Sequence, residues 1–178
     1  MDRIYNSWLD KQHDEVMALA AASDRLMVVP HPETPPRAYV VRFDCLTLVR
    51  AGGDVTLWDG GCDVLFRFPT DYLRVVTRPE WIVALRSPAH LYHPNAVAPF
   101  LCIGHITPGT SLVRLIHQVH DLLTFAKYTP REDDALNREA CAWARANGQR
   151  FPVDVRPLRR RVVSFDVDPV NQGAAHAT

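Results

Sequence analysis

One segment of the sequence, residues 91–109, carries residue types that could do covalent chemistry. It contains Cys102 and, seven positions earlier, Asn95. A cysteine thiolate can attack an acyl carbon and hold the acyl group as a thioester. An amide N–H donor can stabilise the oxyanion that forms in such a step, and loss of such a donor lowers the rate by about 10²–10³. Acyl transfer through a cysteine thioester is therefore one chemistry that these two residues can support.

The same segment permits a second interpretation of Cys102. Free cysteine is among the most buried residue types, and the apolar triplet Leu101, Cys102 and Ile103 suits a core strand. Local composition alone favours a buried structural thiol. If the thiol is a nucleophile, the candidate bases near it in the sequence are His93 and His105. A cysteine hydrolase that uses one of these histidines is therefore an alternative function.

Composition and charge narrow the class of protein. The chain has 178 residues, 47% of them hydrophobic, with 20 basic and 20 acidic side chains. This is a globular composition without the net positive charge that would attract nucleic acid. No segment approaches the roughly 18 consecutive apolar residues of a membrane span. We expect a cytoplasmic protein with reduced thiols that binds neither nucleic acid nor membrane.

The other cysteines and histidines predict no further site. Cys45, Cys62 and Cys141 are widely spaced, fall in a predicted strand, turn and helix, and are interpreted as structural. His117 and His120 lie off the apolar stripe of a predicted helix, which favours a solvated face over a metal site. We expect no metal ion and no organic cofactor.

Hydrophobic periodicity predicts the elements before the candidate segment. An N-terminal helix is expected over residues 7–22, with Ser7 as its cap and Asp10 three residues on, in a pattern that resembles a capping box. A period of two from residue 39 then predicts a four-stranded antiparallel meander joined by Gly-rich turns. Its strands are expected at 39–49, 55–58, 63–68 and 81–85. Six prolines make residues 69–109 a mostly irregular, Pro-rich loop.

Two helices follow this loop. Apolar residues recur at helical spacing from Leu112 to Leu123, the strongest stripe of its kind in the chain. A second helix is predicted from Leu136 to Asn147, with Leu136 on its inner face and Gly148 as a left-handed C-terminal cap. The fold class is therefore α+β, with helices at both ends of the chain packed on one antiparallel sheet.

Several motifs occur in a fixed order around the candidate cysteine. An FPTDY segment precedes an HPN motif, the cysteine follows, and an ITP segment begins the next helix. An Asp-Asp pair then precedes another helix. The residues concerned are Phe68–Tyr72, His93–Asn95, Cys102, Ile106–Pro108 and Asp133–Asn137.

This series resembles the core of the ubiquitin-conjugating enzymes, which accept a ubiquitin-like protein as a thioester and pass it to an amine. The resemblance covers about residues 5–147 and implies the UBC-like fold. Leu73 in place of a proline and Ile106 in place of a tryptophan indicate a divergent bacterial member. The chain is most similar to bacterial relatives encoded with a ubiquitin-like protein, an activating enzyme and a metallopeptidase, a setting associated with antiphage defence.

The resemblance implies a role for each residue of the loop. Cys102 is the thioester-forming nucleophile. Asn95 either stabilises the oxyanion or holds the loop beside the thiol. His93 and Pro94 support the active-site loop.

It also implies partners and a domain organisation. Asp134, or its neighbour Asp133, orients the incoming lysine and helps it lose a proton, whereas the alternative for this pair is a plain helix N-cap. The partners are an activating enzyme, a ubiquitin-like modifier and a protein substrate. The resemblance makes residues 1–150 the catalytic domain. The sequence pattern beyond that domain predicts a partly disordered extension over 151–178, with one strand near 162–167. A catalytically inactive binding or scaffold module of the same fold is a further alternative.

Overall fold

In residues 2–160, which a computed structural model describes, one helix precedes an antiparallel sheet and two helices follow it. The helices are α1 (Arg3–Ala21), α2 (Leu112–Leu123) and α3 (Arg138–Ala146). The strands are β1 (Leu26–Pro30), β2 (Ala38–Phe43), β3 (Thr47–Ala51), β4 (Asp54–Trp58), β5 (Cys62–Arg67), β6 (Val83–Ser87), β7 (Ala96–Val97) and β8 (Phe100–Leu101). The predicted α+β class, with helices at both ends, is confirmed.

The main sheet has six strands in the order β1-β2-β5-β6-β8-β7, and each neighbouring pair is antiparallel. The first four strands of this order form a meander, but they are not the four strands predicted. The prediction omits β1 and includes β4, which pairs with β3 in a separate two-stranded sheet. The predicted four-stranded meander is therefore corrected to a longer sheet with an inserted hairpin.

The predicted strand at 39–49 is interrupted because another part of the chain binds its middle. The Leu46 N–H donates a hydrogen bond to the Asp154 carboxylate over 2.9 Å. The Asp44 N–H donates to the Arg25 carbonyl oxygen, also over 2.9 Å. Since each N–H makes its bond outside the sheet, the β2 ladder stops there, and β3 forms a separate ladder with β4.

Helix α1 begins at Arg3 rather than near Ser7. Its N-cap is Asp2, whose carboxylate accepts hydrogen bonds from the N–H groups of Ile4 and Tyr5 at 3.0 and 3.4 Å. A carboxylate in this position satisfies donors that the first helical turn leaves free. The capping role predicted for Ser7 is therefore wrong.

Helix α2 lies where the apolar spacing predicts it. The six stripe residues are buried: Leu112, Leu115, Ile116, Val119, Leu122 and Leu123. Ser111 caps the helix by accepting a hydrogen bond from the Arg114 N–H over 3.3 Å. The side-chain oxygen of Gln12, from α1, accepts the Leu112 N–H over 2.8 Å and so ties the two helices together.

Helix α3 begins at Arg138, after the predicted start at Leu136. Asn137 caps it by accepting a hydrogen bond from the Ala140 N–H over 3.0 Å. Leu136 therefore lies before the helix and is 46% exposed, instead of lying on its inner face. The cap predicted at Gly148 is also wrong, because that residue begins a short 3-10 turn without a left-handed φ.

The described part of the C-terminal extension packs on the rest of the fold. Asp154 and Leu158 are buried, and the Ser23 hydroxyl donates a hydrogen bond to the Leu158 carbonyl oxygen. The extension thus contributes to the structure as far as it is described. The strand predicted near 162–167 lies outside the described residues.

Candidate active site

The short β7–β8 hairpin places Cys102 opposite Asn95. Ala96 pairs with Leu101 in an antiparallel register, so Asn95 and Cys102 are the next residues outward. The Cys102 N–H donates a hydrogen bond to the Asn95 carbonyl oxygen over 2.8 Å. The seven-residue spacing of these two residues is therefore the spacing that this hairpin register requires.

Cys102 is exposed, whereas the other three cysteines are buried. Leu101 turns into the core and Cys102 turns outward, as alternation along a strand requires. The interpretation of Cys102 as a core thiol is therefore wrong. Burial of Cys45, Cys62 and Cys141 agrees with their interpretation as structural residues.

His93 is buried, and its contacts suit a structural residue. Its Nδ1 accepts a hydrogen bond from the Asn95 N–H over 3.0 Å, so the neutral ring carries its proton on Nε2. The ring packs on Phe125 with 4.2 Å between centroids. Burial lowers the pKa of His93 to about 3, and the Leu122 backbone opposes this only in part. So weak a base does not suit the hydrolase alternative that would use His93.

The side-chain amide of Asn95 is buried and bonded at both ends to Thr129. The Thr129 N–H donates to Asn95 Oδ1 over 2.8 Å, and Asn95 Nδ2 donates to Thr129 Oγ1 over 2.6 Å. Because a backbone N–H can only donate, this contact fixes which end of the amide is the oxygen. The Pro94 carbonyl oxygen accepts the Asn137 N–H over 3.0 Å. The HPN motif thus anchors the connection between α2 and α3 beside the thiol.

Asp133 and Asp134 lie in a 3-10 turn ahead of α3. Both are exposed, and the Asp134 carboxylate pairs with Arg131 at 3.7 Å. Because Asn137 caps α3, the plain N-cap alternative for this pair is wrong. Neither aspartate lines a cavity that borders Cys102, and the role of orienting an amine stays a prediction.

In the described part of the chain, Cys102 lines two cavities. The first, of about 220 Å³, is called the amide cavity here and is lined by Asn95, Cys102, Ile103, Gly104, Gln118, Leu122, Lys127, Tyr128 and Thr129. The second, of about 450 Å³, is more apolar and is lined by Pro79, Glu80, Phe100, Leu101, Cys102, Ile103, Gly104 and Leu136. His105, the other candidate base, is exposed and lines neither cavity. Cys102, Ile103 and Gly104 line both cavities.

Three residues of the amide cavity, Gln118, Lys127 and Thr129, are missed by sequence reasoning. Thr129 lies 34 positions from Asn95, in a connection that the sequence marks only as polar. Gln118 lies on α2, where periodicity predicts the core face but not which polar residue reaches a cavity. Contacts of this kind depend on the tertiary fold and have no local signal.

Within residues 2–160, no group of three His, Cys, Asp or Glu side chains is arranged to hold a metal ion. His120 is buried, so the solvated face predicted for it is wrong. In the same part of the chain, no helix combines the length and the apolar character that crossing a membrane requires.

Comparison of the chain with models of known protein families gave no match, and neither did comparison with curated protein sequences. A functional proposal therefore depends on the residues and the geometry of this site.

Proposed function

We propose that this protein is a ubiquitin-conjugating-type enzyme, a divergent bacterial member of that family that acts in antiphage defence. The Cys102 thiol accepts the C-terminal acyl group of a ubiquitin-like modifier from the thioester of an activating enzyme. It then passes that acyl group to a lysine amine of a protein substrate. The chemistry is acyl transfer by protein side chains alone.

The observation that carries this proposal is the bond between the exposed Cys102 and the asparagine of the HPN motif. Each motif residue has a defined contact: His93 accepts the Asn95 N–H, Pro94 accepts the Asn137 N–H, and Asn95 accepts the Cys102 N–H. A nucleophile must be both accessible and held in one place, and Cys102 meets both conditions.

The order of elements gives additional support. A helix, a meander built from β1, β2, β5 and β6, the loop with the cysteine, and then α2 follow one another along the chain. The resemblance to ubiquitin-conjugating enzymes implies this same order. Fold order alone does not define an activity, so it adds weight only because the cysteine and the HPN motif occupy the expected loop.

Two acyl transfers occur at Cys102 in this proposal. In the first, the thiolate attacks the incoming thioester carbonyl, and the carbon–sulfur bond to the activating enzyme breaks. In the second, a substrate amine attacks the Cys102 thioester, an amide bond forms, and the thiolate leaves. Negative charge develops on the carbonyl oxygen in both steps. Asn95 lines the cavity beside the thiol, and its Nδ2 carries a second hydrogen that Thr129 does not use, which supports a role as oxyanion donor.

A charging assay tests the proposal. The protein is mixed with its cognate modifier and activating enzyme and with ATP, and the products are separated without reductant. We expect an adduct that a thiol reagent removes and that Cys102→Ala abolishes. Cys45→Ala, which changes a buried cysteine, is the matched control and retains the adduct. No adduct with the cognate partners would contradict the proposal.

The same assay separates the alternatives. A cysteine hydrolase would cleave a modifier thioester or isopeptide without the activating enzyme, whereas a conjugating enzyme alone would not. An inactive binding module would associate with the modifier or activating enzyme and form no covalent adduct in any variant.

A further inference from the structure

Strand β4 forms one edge of the inserted hairpin. In the described part of the chain it pairs with β3 alone. Proteins protect edge strands with prolines, with charged side chains or by keeping them very short. The main sheet shows such protection, since β1 ends at Pro30 and β7 contains two residues. Strand β4 has five residues, and its one charged residue, Asp54, lies at its first position, so its edge favours pairing with a further strand.

The outer neighbours of β3 show which way its backbone groups point. The Arg50 N–H donates a hydrogen bond to the His90 carbonyl oxygen over 3.1 Å, and the Tyr92 N–H donates to the Leu48 carbonyl oxygen over 2.9 Å. Arg50 and Leu48 therefore direct their backbone groups away from β4. In an antiparallel pair, the residues opposite them in β4 likewise direct theirs away from β3.

Those opposite residues are Val55 and Leu57. Their N–H and C=O groups form a row of donors and acceptors along the outer edge of β4. Within residues 2–160, no hydrogen bond from outside the hairpin reaches this row. The row can therefore bind a further antiparallel strand without any change in the pairing of β3 with β4.

A second copy of β4 matches this row. A two-fold axis at Thr56 places Val55 opposite Leu57 of the second copy and Leu57 opposite Val55 of that copy. Each of these two pairs exchanges two backbone hydrogen bonds. Thr56 then lies opposite its own copy, so no like charges meet in the central three residues of the strand.

The same pairing covers exposed apolar surface. Leu57 is 55% exposed, whereas Val55 packs against a buried cluster. Because opposite side chains lie on the same face of a sheet, Leu57 of the second copy packs beside Val55 and extends that cluster. The cluster consists of Leu48, Phe125 and Ala144.

We propose that two copies of this protein form a symmetric dimer through antiparallel pairing of their β4 strands. Strands β3 and β4 of both copies then form one continuous sheet across the two-fold axis. Because the shared surface is small, the dimer is weak and reversible. This inference is independent of the proposed function.

Sedimentation velocity of the full chain over about 1–300 μM tests for this dimer. Reductant is present, because the exposed Cys102 could otherwise link two copies through a disulfide. We expect a reversible equilibrium between monomer and dimer. Thr56→Lys changes an exposed side chain, places two like charges opposite each other on the axis, and should weaken the association at least about ten-fold.

Reversal of one charge distinguishes this interface from others. Thr56→Glu alone should weaken the association as Thr56→Lys does, for the same reason. An equimolar mixture of the two variants should associate, because a lysine and a glutamate then face each other on the axis. Met27→Lys is the matched control, since it adds the same charge at an exposed position of β1, and it should leave the association unchanged.

Four results would overturn the inference. A monomer at every concentration would assign the edge of β4 to an extended segment of a different protein instead of a second copy. A dimer that Thr56→Lys does not weaken would place the interface elsewhere. Failure of the mixed variants to associate would contradict the antiparallel register. Equal weakening by Met27→Lys and Thr56→Lys would show an effect of added charge rather than of position.

Discussion

Thr129 binds both ends of the Asn95 side-chain amide, with its backbone N–H on Oδ1 and its hydroxyl oxygen on Nδ2. The carbonyl oxygen of Asn95 also accepts the Cys102 N–H. One asparagine therefore connects the segment after α2 to the backbone of the reactive cysteine. A substitution of Thr129 should therefore alter the position of the Cys102 thiol, although the two residues are far apart in the sequence.

A double-mutant cycle on Asn95 and Thr129 measures this connection. Thr129→Val removes the hydroxyl acceptor and should lower the free energy of unfolding by about 1 kcal/mol. Asn95→Ala should lower it by about 1–3 kcal/mol, because the Thr129 N–H then loses its acceptor. The double variant should lose less than the sum, with a coupling of about 1 kcal/mol in urea denaturation. Additive losses would show that the two side chains do not interact.

Thiol accessibility gives a second prediction. In the native protein, iodoacetamide should label Cys102 rapidly and the other three cysteines slowly, because those three are buried. Burial raises the pKa of Cys141, and contact with Cys62 together with burial raises that of Cys45, so both populate little thiolate. Mass spectrometry should find one label, which Cys102→Ala removes, and four labels after denaturation. Rapid native labelling of Cys45 or Cys141 would contradict the structure.

The features that the sequence predicts well are those that local geometry sets. The stripe from Leu112 to Leu123 buries one face of α2, since a helix can bury residues at that spacing only on one side. The spacing of Asn95 and Cys102 fits the register of one short hairpin, although the sequence predicts only an irregular loop there and not the hairpin itself. In each case the deciding contacts lie within a few residues of one another.

The features that the sequence predicts badly depend on contacts between distant residues. The strand at 39–49 is interrupted because Leu46 bonds to Asp154, 108 positions further along the chain. Helix α3 starts after Asn137, whose own N–H donates a hydrogen bond to the Pro94 carbonyl oxygen. Leu136 therefore precedes the helix and lines a cavity. Neither partner is visible in a local pattern, and propensity alone favours a longer strand and an earlier helix start.

Asp154 provides a third prediction, on stability. Its carboxylate accepts hydrogen bonds from the Leu46 N–H and, over 2.7–3.0 Å, from the backbone and guanidinium of Arg156. These bonds hold the pKa of Asp154 well below its usual range, although burial opposes them. Asp154→Asn should therefore lower the free energy of unfolding by about 2–3 kcal/mol in urea. The control Asp44→Asn changes an exposed carboxylate and should stay within about 0.5 kcal/mol of the natural protein. Equal effects of the two changes would contradict the anchoring role of Asp154.

The fourth prediction concerns the pH dependence of stability. His93 has a pKa of about 3 in the folded protein, lowered by burial, against about 6.5 in the unfolded chain. Between these values the unfolded state binds one more proton, so the free energy of unfolding falls as the pH is lowered. The slope due to His93 approaches about 1.4 kcal/mol per pH unit. Above about pH 6.5 the contribution is fully present, and stability no longer depends on this group.

His93→Asn isolates that contribution. The amide oxygen of asparagine can replace Nδ1 as the acceptor of the Asn95 N–H, and it does not titrate in this range. Burial lowers the pKa of His120 as well, so the natural protein loses stability toward acid for more than one reason. The informative quantity is the difference between the two proteins in urea denaturation, measured between about pH 7 and pH 5. That difference should shrink toward low pH, because only the natural protein must keep His93 uncharged. Parallel curves would mean that the His93 ring has the same pKa in the folded and in the unfolded protein.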